Sequence, residues 1–175
     1  IGGLRDRIGW DYKRYIYWYE AKGRDDTIEI GFLAIMKAFR YLHLDYTFLF
    51  FFFSFFTYLF AYLGVRRYTE KSSLPMVLYF FIPVLFLYSF TYIRQFLSVT
   101  IAFYAFSFLL EKKYWKYSLL MLLAISIHYS CLIPCVVFLM IFKWGEYLKI
   151  RYIYLLLAFS LVISQIGIID LLSYF

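Results

Sequence analysis

Residues 46–65 read YTFLFFFFSFFTYLFAYLGV, twenty consecutive residues without a charge. At about 1.5 Å of rise per residue, a helix of that length covers roughly 30 Å, the thickness of a bilayer's hydrocarbon. The loop Arg66-Arg67-Tyr68-Thr69-Glu70-Lys71 closes the run. Beyond it, residues 74–110 are interrupted by one charge, Arg94. A single helix of that length would extend about 55 Å, too long for a bilayer even when tilted. Two spans with a turn near residues 89–94 are therefore expected. After Glu111-Lys112-Lys113-Tyr114-Trp115-Lys116 comes a fourth apolar run over 117–142, holding His128 and Pro134, and a fifth over 152–169.

Composition supports the same class. The chain is 65% hydrophobic with a mean hydropathy of +0.73, against roughly 45–50% apolar residues in soluble domains. A 175-residue fold cannot hide that much apolar surface in its own core, so lipid must cover the remainder. The expected fold is an all-α polytopic transmembrane helical bundle of about five spans plus a short amphipathic helix. Residues 1–45 form an extracytoplasmic loop and that helix, and residues 46–175 the bundle of the same single domain.

Charge is segregated. Residues 1–45 hold eight Lys/Arg and seven Asp/Glu, whereas 46–175 hold ten and four, nearly all in the gaps between apolar runs. A pI near 9.3 could indicate nucleic acid, but basic residues confined to loops are what membrane topology requires; no nucleic acid is expected. The loops 66–71 and 111–116, two spans apart, each carry three Lys/Arg. Both belong on the cytoplasmic side, with residues 1–45 and the turn near Arg94 outside. The loop 143–151, with Lys143, Lys149 and Arg151, does not fit that pattern. The expectation is a single crossing by 117–142; the alternative is a break near Pro134 and re-entry. Cys131 and Cys135 read as buried thiols on one helix face, without disulfide or metal-ligand spacing.

Asp26-Thr27-Ile28-Glu29 has capping-box spacing and predicts a helix over about 30–43. Ile30, Leu33, Met36 and Phe39 would share its apolar face, opposite Lys37 and Arg40. The many tyrosines belong to an aromatic belt.

Ionisable groups at membrane depth are costly, about 2.5–3.5 kcal/mol for a mid-helix Arg on insertion scales. Arg94 opens the third span, where free backbone N–H groups and the helix dipole also favour an anion. It reads as a phosphate-binding cation or as an interfacial Arg reaching headgroups. His128, about eleven residues into its run and so deep, reads as a satisfied core histidine or a general base. Arg5, Arg7, Gly9, Asp11 and Tyr15 cluster on the outer side and read individually as a solvated loop. Glu29 reads as the partner of its capping box. No P-loop, GxGxxG or HExxH is present, so cytoplasmic nucleotide chemistry has no support.

Four short motifs, in order, resemble the EpsG family of exopolysaccharide-biosynthesis membrane proteins, related to Wzy-type repeat-unit polymerases. Arg5 with Gly9-Trp10-Asp11 and Tyr15 resembles its R…GxDxxxY loop. Glu29-Ile30-Gly31-Phe32 resembles E-x-G-F, Ile93-Arg94-Gln95-Phe96-Leu97 resembles I-R-Q-x-L, and His128-Tyr129-Ser130 with Leu132-Ile133 resembles H-x-S-x-L-I. Together they cover roughly residues 5–135; Phe96 and Ser98 depart from the small residue and the Ala that the family prefers. Family members are about twice this length, so truncation at both ends is expected.

The resemblance implies joining of polyprenyl-diphosphate-linked oligosaccharide units into exopolysaccharide or capsule at the outer face of the bacterial cytoplasmic membrane. It implies no cofactor and no metal; partners are the lipid-linked sugar, the bilayer and other polysaccharide-assembly proteins. Catalytic roles then fall on His128, Arg94 and Asp11, with Arg5, Gly9, Tyr15, Glu29 and Gln95 at the substrate. Arg94 would meet the diphosphate with Arg5 assisting, and His128, or else Asp11, would activate the acceptor hydroxyl. A transporter or flippase of lipid-linked sugar, a polysaccharide-modifying acyltransferase and a scaffold subunit are the rival classes.

Overall fold

The computed structural model describes residues 11–20, 28–70, 73–81, 86 and 89–144, and every regular element among them is helical. In order these are α1 (Tyr12–Glu20), α2 (Ile30–Tyr41), α3 (Tyr46–Tyr68), α4 (Ser73–Phe81), α5 (Ile93–Leu110), α6 (Tyr114–Ile127), a single 3₁₀ turn (Tyr129–Cys131) and α7 (Leu132–Trp144). The fold is an all-α bundle with the apolar helices of a membrane protein. Backbone contacts group the chain into Ile1–Val136 and Val137–Phe175. Of the second unit, residues 137–144 are described; they are the rest of α7, where Lys143 lies over Trp144. The expected fifth span and most of the loop 143–151 lie outside the described residues.

α3 and α5 are long and apolar enough to cross a bilayer. α3 starts at Asp45, whose carboxylate accepts from Thr47 N–H at 2.8 Å and also from the Thr47 hydroxyl. It ends with Arg66 and Arg67 in its last turn, where the negative end of the helix dipole favours cations. α5 starts where Tyr92 leaves helical geometry (φ −105°, ψ 59°), so the long run 74–110 is indeed broken at the expected turn. α3 and α5 lie parallel and close. Phe60 meets Tyr104, and Tyr68 Oη donates to Phe103 O at 3.1 Å. Arg67 pairs with Glu111 at 3.1 Å, bringing both basic loops to one end of the bundle. α6 returns antiparallel to α5 after a turn at Lys112, which adopts φ 59°.

The run 117–142 is not one uninterrupted crossing. α6 begins three residues earlier, at Tyr114, and stops at Ile127, because His128 is extended (φ −155°, ψ 118°). Tyr117 Oη donates to Cys135 O at 3.1 Å across eighteen residues of sequence. In a continuous helix those residues would be about 27 Å apart, so the chain turns back along α6. The break lies at His128 rather than Pro134, which sits in the first turn of α7 where a missing N–H is harmless.

α2 also differs from expectation. Asp26 and Thr27 lie outside the described residues, and Glu29 is itself the N-cap residue, with no side-chain capping bond. Phe32 and Met36 are fully buried, whereas Ile30 is 70% exposed. The buried face is thus rotated from the expected one, because Phe32 docks edge-on to Phe53 of α3 and Phe39 to Phe52. Arg40 turns inward, donating to Trp18 O and lying over the Tyr19 ring. Tyr12, Tyr15 and Tyr19 are core residues rather than belt residues: Tyr12 stacks on Phe50 and Tyr19 Oη donates to Leu44 O.

A candidate site at the junction of four helices

At the end of the bundle opposite the basic loops, the start of α2, the start of α5, the end of α6 and one face of α1 converge. Glu29 stands at the centre. Its Oε2 accepts from Arg94 Nη1, and its Oε1 accepts from His128 Nδ1 at 2.6 Å. The three side chains are 6%, 14% and 23% exposed, Glu29 least. Residues 65 and 99 positions apart in sequence thus share one carboxylate.

Helix lengths explain the meeting. Arg94 lies sixteen residues before the end of α5 and His128 fourteen after the start of α6, heights of about 24 Å and 21 Å at 1.5 Å per residue. His128 is therefore level with Arg94, at the end of α6 rather than midway along a helix spanning 117–142; the earlier start of α6 and its abrupt stop account for the difference.

The guanidinium of Arg94 is boxed by rings, 4.7 Å from the centroid of Trp18, 5.1 Å from Phe32 and 5.7 Å from Tyr15. Its Nε is buried without a hydrogen-bond partner among the described residues. Position is fixed by one ion pair and by cation–π contact with the ring faces.

Glu29 is held below its ordinary value of 4.5. Burial is the largest influence and acts upward, but the His128 hydrogen bond, backbone donation and the Arg94 charge together outweigh it. An ionised carboxylate only accepts hydrogen bonds, so the proton between the two residues sits on His128 Nδ1. In the neutral imidazole that leaves the Nε2 lone pair available. Chemically, the arrangement can serve as an oriented base, with a carboxylate behind the imidazole and a cation behind the carboxylate.

The remaining expected site residues divide. Tyr15 forms a wall, 2% exposed and in edge contact with Trp18 and Phe50. Asp11 opens α1, its carbonyl accepting from Tyr15 N–H, and its carboxylate makes no ion pair among the described residues. Gln95 is exposed beside Arg94, and its carbonyl accepts from Ser98 Oγ at 2.9 Å. Arg5 and Gly9 lie outside the described residues. Among the described residues no three His, Cys, Asp or Glu side chains converge as a metal site would require. Trp18 was not expected: an aromatic in a Tyr-rich segment carries no sequence signal of its own, and its role appears once Arg94 is seen against it.

The model of the EpsG family matches residues 1–175, the whole chain. The chain belongs to the EpsG family. No curated protein and no solved structure matches it. Membership makes this a membrane protein with a general role in polysaccharide biosynthesis, and three of the four motifs acquire physical meaning in this EpsG protein. The Glu of E-x-G-F, the Arg of I-R-Q-x-L and the His of H-x-S-x-L-I are one hydrogen-bonded unit.

Proposed function

We propose that this protein joins polyprenyl-diphosphate-linked oligosaccharide units into a longer exopolysaccharide or capsular chain. The observation that carries the reading is the Glu29 carboxylate bridging Arg94 and His128 at one end of the bundle. Extension requires an acceptor sugar hydroxyl to displace diphosphate at an anomeric carbon. The hydroxyl must lose a proton as it attacks; diphosphate leaves without needing one. His128 Nε2 takes the proton as general base, worth roughly 10²–10⁴-fold in rate. Glu29 fixes the tautomer and the ring orientation.

The structure changes the emphasis on Arg94. Its charge is balanced by Glu29, so it serves first to hold that carboxylate. The diphosphate needs a further cation. Arg14 is exposed, lies 4.7 Å over the Trp18 ring and has no acidic partner among the described residues. This reading gives Arg14 that role, beside Arg5, with Asp11 as the second-choice base and Gly9, Tyr15 and Gln95 shaping the substrate's approach. Sidedness follows the basic-loop argument: residues 1–45 and the site face outward from a bacterial cytoplasmic membrane, residues 46–175 forming the bundle.

The test uses purified protein in nanodiscs with a lipid-linked repeat unit. The expected result is lengthened product, abolished in His128→Gln and still formed, but with a higher donor KM, in Arg14→Ala. Translocation of the lipid-linked sugar without lengthening would overturn the polymerase reading in favour of a flippase.

A further inference from the structure

We infer that Gly31 is a positioning residue that sets the Glu29–His128 distance, and through it the orientation of the base. The proposal rests on the catalytic reading above, but its geometry does not. Gly31 is the second residue of α2, two positions after Glu29. A Cβ placed there would stand 2.4 Å from Ser126 Oγ, 2.7 Å from Ser126 O and 2.8 Å from Ser126 C. Ser126 lies in the last turn of α6, two positions before His128. The first turn of α2 and the last turn of α6 are thus in backbone contact, and the residues flanking that contact are the two that share the hydrogen bond.

The hydroxyl of Ser126 could rotate away; the carbonyl could not. It belongs to a helix anchored by Ala124, fully buried, and by Met121 and Ile127, each 2% exposed. Ordinary contact begins near 3.4 Å, so a methyl group at position 31 demands about 0.7 Å of separation from the carbonyl at 2.7 Å. Opening the 2.6 Å Glu29–His128 bond by that amount takes it outside normal hydrogen-bond distance. Gly64 provides an internal control. Its Cβ would also clash, at 2.5 Å, but with the ring edge of Phe103, a side chain that can swing, at the far end of the bundle.

Two readouts separate this proposal from the polymerase reading. The first is elongation kinetics: Gly31→Ala should lower kcat on the order of 10²-fold, the usual penalty for misplacing catalytic groups by about 1 Å, with KM nearly unchanged. Gly64→Ala should stay within about 2-fold of wild type, the slack left by a rotatable neighbour. The second readout needs no activity. Thermal unfolding of Glu29→Gln, His128→Gln and the double variant forms a coupling cycle. In the parent protein the two losses should be strongly non-additive; in the Gly31→Ala background they should simply add. Should Gly31→Ala fail to fold, Ser126→Val overfills the same contact from α6 and should also erase the coupling. Coupling that survives in the overfilled background overturns the proposal. Absence of elongation by wild-type protein would overturn the polymerase reading alone, leaving the cycle to decide Gly31.

Discussion

The two ends of this bundle carry matching ion clusters in opposite surroundings. At one end Glu29 holds Arg94 and His128, all largely buried. At the other Glu111 holds Arg67 and Lys113, with side chains 35%, 32% and 51% exposed. Both centres are a glutamate between two basic groups, and both carboxylates are held below their ordinary value. The causes differ. For Glu111 the leading influence is the Lys113 hydrogen bond, in water; for Glu29 burial leads in the opposing direction and the partners must overcome it. What separates the two clusters is desolvation: the same charges act most strongly where water no longer screens them.

The comparison can be broken from either end. The largest expected effect is on turnover: Glu29→Gln should cut elongation roughly 10²–10⁴-fold, while Glu111→Gln leaves it near wild type, both read by product length in nanodiscs. Next is stability. Arg94→Ala removes the permanent cation from a buried carboxylate, leaving His128 as its side-chain partner, and should cost about 3–5 kcal/mol by thermal or denaturant unfolding; Arg94→Lys, lacking the planar fork that the rings enclose, should recover only part of it. Third is pH. The stability gained from Glu29 ionisation is fully present above 4.5 and is lost as pH falls through the depressed folded value. The melting-temperature gap between wild type and Glu29→Gln should therefore narrow only below pH 4.5. The smallest effect is Arg67→Ala, a slight loss at low salt that vanishes near 1 M, where screening acts within about 3 Å. A salt-insensitive loss there would erase the distinction.

Much of the fold was legible because hydrocarbon thickness leaves few ways to write a span. Uncharged runs and basic gaps located α3, the turn before α5 and the α5–α6 loop. The break at His128 was not legible. Apolar residues continue through it, and the partners met on either side of the break, Glu29 at His128 and Tyr117 at Cys135, are distant in sequence. Arg94 and His128 stood out as polar residues in apolar runs. Glu29 was singled out only through the E-x-G-F resemblance, because capping-box spacing supplied a sufficient local account of it, and only the fold shows its carboxylate turned inward. Gly31 entered only as a letter of the E-x-G-F resemblance and with no role, since what demands it is the carbonyl of Ser126, ninety-five positions later.

The 99-residue separation between Glu29 and His128 also bears on how the protein is made. At ribosomal rates of roughly 5–20 residues per second, the acidic member of the cluster emerges about 5–20 s before its imidazole partner. For about the first two-thirds of that interval, until Arg94 follows 65 residues behind, the carboxylate has no counter-charge and must stay in water, so α2 cannot seat until α5 has been inserted. Assembly of the cluster therefore reports that α5 and α6 are both in place, and a chain stalled before α5 holds its glutamate in the aqueous phase, chemically inert.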